Sequence, residues 1–96
     1  MCTSIVEIAE AQGAGKGDRG WFELTSAVVS YDHPHHAWYE EAICIDFVNA
    51  ALDPGARVAV EISLDSAKAL AGALSRAIAA AEAWDERYGG SEKAIV

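Results

Sequence analysis

All three histidines of the chain fall within four positions, at His33, His35 and His36. Acids flank them: Asp32 on one side, Glu40 and Glu41 on the other, with Cys44 and Asp46 a few residues on. Imidazole with carboxylate is the donor set of zinc, iron, nickel and manganese sites. His33, His36 and Glu40 supply a two-histidine, one-carboxylate face with coordination positions left open, and Asp46 can approach from the next strand. Open positions are what a divalent metal ion needs to activate water or substrate. Two other readings use the same residues. A histidine beside a carboxylate is a general acid or base near neutral pH without any metal. A polar loop whose imidazoles bond backbone or water is the third.

Other residues border this cluster. Trp38 and Tyr39 follow it and offer an amphipathic surface, either a pocket wall or a lid on the core. Four glycines between Gly13 and Gly20 surround Lys16 and Arg19. A phosphate loop needs Gly-Lys followed by Ser or Thr and then a helix. Here Gly17 follows Lys16 and a strand comes next. The segment therefore reads as a mobile hairpin connection, or as a lid that brings Lys16 to an anionic ligand. Cys2 would become an N-terminal nucleophile if Met1 were removed.

Elements must position these groups. Ser4 to Ala11 is short, β-branched and partly alternating, a first strand. Trp21 to Asp32 is the second, and Ser26 interrupts its alternation, which predicts a bulge near Thr25–Ala27. Pro34 ends it. Glu41 to Asn49 is the third strand, with Ile43, Ile45 and Phe47 on one side and Cys44, Asp46 and Val48 on the other. Asp53-Pro54-Gly55 marks a turn. Arg57 to Ser63 is the fourth strand, with Val58, Val60 and Ile62 inward and Glu61 outward. From Asp65 to about Tyr88, apolar residues recur at helical steps through Leu70, Leu74, Ile78 and Trp84, and Gly89-Gly90 ends the run. Four strands and then a helix predict an α+β fold: a four-stranded antiparallel sheet with one long C-terminal helix packed on one face. The face away from the helix would carry Cys44, Val48 and Ala59 with Trp21, Val29 and Tyr31. That mix is too apolar to stay wet: a loop, a second subunit or a ligand must cover it, and a homodimer is the expected answer.

Size and charge set limits. The chain has 96 residues and a mass of 10.1 kDa, the length of a single domain spanning 1–96. Doubly wound sheets, α/β barrels and the large two-substrate enzyme folds do not fit. A net charge of −8 disfavours nucleic acid and anionic membrane as partners. No apolar run is long enough to span a membrane. The first residues lack the basic region and apolar stretch of a signal peptide, so the expected location is cytoplasmic.

Met1-Cys2-Thr3, Gly15-Lys16-Gly17-x-x-Gly20-Trp21-Phe22, Tyr31-Asp32-His33-Pro34-x-His36-Ala37-x-x-Glu40 and Ile45-Asp46-Phe47-Val48-Asn49 together resemble a family of roughly hundred-residue actinobacterial proteins of unknown function. The resemblance implies a source and a size, not a mechanism. In that pattern a histidine often follows the glutamate matching Glu40; here the position is Glu41. The leading expectation is a small metal-binding protein, up to a metal-dependent enzyme on a small molecule. The alternatives are a metal-free isomerase, cyclase or small-molecule-binding protein, and a protein interaction module.

Overall fold

The computed structural model describes residues 3–89. Cys2 and Gly90 lie outside them. The described chain forms β1 (Ile5–Gly17), β2 (Gly20–Asp32), β3 (Ala42–Val48), β4 (Arg57–Ile62) and α1 (Leu64–Tyr88). The strands pair antiparallel in the order β1-β2-β3-β4, and the class is α+β. The chain divides into two compact units, the sheet through Leu64 and the helix from Asp65.

Alternation in β3 and β4 dictates the sheet's two faces, because cross-strand partners point the same way. Ile43 stands opposite Ile62, Ile45 opposite Val60 and Phe47 opposite Val58. Ala27, Val29 and Tyr31 of β2 join that apolar face. The other face carries Ser30 and Glu61 on either side of Cys44, Val28 and Ala59 around Asp46, and Ser26 and Arg57 around Val48. This corrects the expectation for Val29 and Tyr31, which do not share a face with Cys44. That face is therefore more polar than expected.

The glycine segment is not a loop. β1 continues through it, and only Asp18 and Arg19 connect the paired Gly17 and Gly20. Gly20 has φ 109°, a backbone that favours glycine. At Gly15 a Cβ would stand 3.0 Å from Leu24 Cδ2 and 3.2 Å from Val58 Cγ2. At Gly17 it would stand 3.1 Å from Phe22 and 3.4 Å from the Arg57 carbonyl oxygen. Missing side chains thus let this end of β1 fold back against the start of β4. The register shifts between Glu10 and Gly13, where Ala11 and Gln12 oppose Thr25. The bulge is at the expected level, but the extra residue belongs to β1 rather than β2.

Asn49 is the buried polar residue of the sheet unit, 8% exposed. Its Nδ2 donates to the Glu23 carbonyl at 2.9 Å, and its Oδ1 accepts from the Ala51 N–H at 3.0 Å. Its main chain bonds Ala56 and Leu52. One side chain so ties the β3–β4 turn to β2.

The helix has Asp65 in its first turn and Arg87 in its last, both favourable to its dipole. Leu70, Leu74, Ile78 and Trp84 form its apolar stripe. Trp84 and Tyr88 stack one turn apart with ring centroids 4.2 Å apart. The helix stops at Tyr88; a Cβ on Gly89 would collide with the Asp85 carbonyl. No helix among the described residues is long and apolar enough to cross a membrane.

Candidate functional site

The histidines lie in the connection between Asp32, the end of β2, and Ala42, the start of β3. Pro34 cannot continue a ladder, and Asp32 turns the chain: its Oδ1 accepts the His33 N–H at 2.7 Å. The His33 Nδ1 reaches the Glu40 carbonyl oxygen at 3.0 Å and closes the connection on itself. A carbonyl only accepts, so Nδ1 carries the proton and Nε2 is left as the basic nitrogen.

The connection is also clasped to the sheet. The N–H groups of His35, His36 and Ala37 all donate to the Glu61 carboxylate, at 2.7, 2.8 and 2.9 Å. Three successive N–H groups around one anion form an anion-binding concavity of the nest kind. The His35 N–H, with those of Ala37 and His36, holds Glu61 well below its ordinary value of 4.5, at about 2, against some desolvation. His36 Nδ1 stands 3.9 Å from the same carboxylate.

The sign of the pH dependence follows. A carboxylate with a lowered folded-state pKa stabilises the clasp above its ordinary value of 4.5, and the stabilisation is lost as pH falls toward about 2. The amide signals of His35, His36 and Ala37 should therefore titrate together near pH 2. A shared midpoint near pH 4.5 would contradict the clasp.

Between the clasped connection and the polar face of the sheet lies a cleft of about 840 Å³. Ser30, Asp32, His33, His35, His36, Cys44, Asp46, Arg57 and Glu61 line it. Asp46 accepts from Arg57 Nε at 3.0 Å. Burial, and then the charges of Glu61, Asp46 and Asp32, push the Cys44 thiol up, opposed by a hydrogen bond with Ser30. Cys44 is consequently a neutral thiol at pH 7 and not a ready nucleophile.

The expected site residues separate. His33, His36 and Asp46 line one cleft. Glu40 does not turn back into it; its carbonyl holds His33, and Glu41 is the carboxylate near that ring, 3.9 Å from Nδ1. The second oxygen of Glu41, Oε2, is buried without a hydrogen-bond partner. Among the described residues, no three His, Cys, Asp or Glu side chains converge as donors for a metal ion. Lys16 pairs with Trp21 in the hairpin and lines neither this cleft nor a smaller cavity of about 200 Å³ at the hairpin tip. Trp38 is 97% exposed and Tyr39 half exposed, so neither closes over the core. Glu61 was not foreseeable as part of the site. Its outward place in the β4 alternation is visible in the chain, but no motif connects it with the N–H groups of residues 35–37.

One family matches residues 1–86, a span that takes in every strand and nearly all of the helix. The chain belongs to DUF6295, a family of unknown function. No curated protein and no solved structure matches it. Membership in DUF6295 thus carries no reaction, and the functional reading rests on the cleft itself.

Proposed function

We propose that this DUF6295 protein binds a small organic molecule, neutral or positively charged, in the cleft beneath the histidine connection. The observation that supports this reading is the half-open cleft itself, about 840 Å³, a volume suited to a small ligand. Asp32, Asp46 and Glu61 stand in its lining against a single guanidinium, Arg57. Anions are repelled, and an ammonium group finds an attractive field. Glu61 is spent on the connection and Asp46 on the Arg57 guanidinium; Asp32, whose Oδ1 holds the His33 N–H, keeps its second oxygen to meet the ligand's charge. His33 Nε2 supplies a proton acceptor. The Cys44 thiol, with Ser30, supplies a small, weakly polar floor.

A binding reading is favoured over a metal centre because, among the described residues, no three His, Cys, Asp or Glu side chains converge as donors, and Glu40 lies outside the cleft that His33 and His36 line. Thermal unfolding with benzylamine, benzyl alcohol and benzoate separates the classes, since the three share a ring and differ in charge. Benzylamine should raise the melting temperature most and benzoate not at all. Elemental analysis of untagged protein should find no stoichiometric zinc, iron, nickel or manganese. A stoichiometric metal, or stabilisation by benzoate alone, would overturn the proposal.

A further inference from the structure

β1 is an edge of the sheet. Its far half is shielded where Gly15 and Gly17 approach Val58 and Arg57 of β4, so the two edges protect each other at that end. Its near half, from Ile5 to Glu10, is open. Ile5 is 53% exposed, Val6 54% and Ile8 71%. Sheet edges are ordinarily blunted by lysine, proline or a bulge. Between Ile5 and Glu10 there is no lysine and no proline, and the bulge comes only after Glu10.

The direction of the backbone groups is readable at the strand's start. The Thr3 hydroxyl donates to the Tyr31 carbonyl and accepts the Ile5 N–H, so the Ile5 N–H faces β2. Strand groups alternate sides. Val6, Ile8 and Glu10 therefore turn their N–H and C=O groups outward, to no neighbouring strand.

We infer that this edge pairs with the same edge of a second copy, antiparallel, about a two-fold axis at Ile8. In that register Ile8 meets its own copy and Val6 meets Glu10, so the outward groups of all three residues are satisfied. Glu7 then faces Ala9 of the other copy, and no two carboxylates oppose each other. An axis one residue earlier would set Glu7 against Glu7, a repulsion that a chain of net charge −8 cannot offset nearby. The self-complementary pattern of apolar residues and charges is what selects a second copy as the occupant. The contact is short of a standard interface, so the dimer is weak, with half-assembly at roughly 10–100 µM.

Sedimentation equilibrium of the full chain from about 1 µM to 1 mM tests it. The mass should rise from 10.1 kDa toward twice that value. Ile8→Lys should raise the dissociation constant by roughly 100-fold or more. Ile8→Pro removes only an outward N–H, which an edge tolerates, and should act alike. Trp38→Ala should leave assembly unchanged. A wild-type chain that stays monomeric at 1 mM would overturn the inference. So would a dimer that survives both Ile8 variants, or one that only Trp38→Ala disrupts, because either places the contact elsewhere.

Discussion

Glu61→Ala frees the histidine connection from the sheet. The three N–H groups of His35, His36 and Ala37 lose their common acceptor and turn to water. Their hydrogen exchange should accelerate by roughly 100-fold, whereas amides in the β2–β3 ladder should change little. Glu61→Gln separates charge from shape. One amide oxygen can still accept, but bonds to a neutral acceptor are about half as strong as charge-assisted ones. Its exchange rates should fall between those of the wild type and Glu61→Ala. Both changes should weaken benzylamine binding, Glu61→Ala more than Glu61→Gln, because the connection that walls the cleft is held less firmly. Unchanged exchange at all three amides in Glu61→Ala would show that the connection is ordered by its own contacts, His33 to Glu40 and Asp32 to His33.

Asn49→Ala should cost about 2 kcal/mol of folding stability, read from the urea midpoint. The truncation leaves the Glu23 carbonyl and the Ala51 N–H without their partner in a site that is 8% exposed. Asn49→Asp keeps the acceptor for Ala51 but sets a carboxylate oxygen against the Glu23 carbonyl, so it should not rescue. Arg19→Ala is the contrast. Arg19 pairs with Asp53 at 3.0 Å, yet the side chains are 84% and 54% exposed. Water screens such a pair, and its loss should cost under about 0.5 kcal/mol. Equal effects from the two truncations would remove Asn49 from its role in tying the turn to β2.

Legibility in the chain followed the physics of alternation. β3 and β4 each place three large apolar residues at period two, so their register and shared face could be read directly. The helix declared itself by a long apolar stripe and by Gly89. β1 and β2 were harder. Gly13, Gly15 and Gly17 carry the composition of a loop, but here their lack of side chains serves close approach to Leu24, Phe22 and β4. The break at Ser26 pointed to a bulge in β2, but the extra residue sits in β1, and the mixed parities of β2 did not reveal that Val29 and Tyr31 share the face of Ile43 and Ile45. At the site, the clustering of His33, His35 and His36 was plain. Which carboxylate each would meet was not, because this depends on how residues 33–41 fold back. Glu40 is adjacent in sequence and contributes a carbonyl; Glu61 is remote in sequence and contributes the anion.

The most direct test of a ligand cleft is a map of amide chemical-shift changes as benzylamine is added to the folded chain. Saturable shifts should gather on Ser30, Asp32, Cys44, Asp46 and Glu61 and on His35 to Ala37, with benzoate leaving the same amides unmoved. Shifts confined to the hairpin tip around Trp21 and Leu52, or an equal response to both probes, would contradict the binding reading.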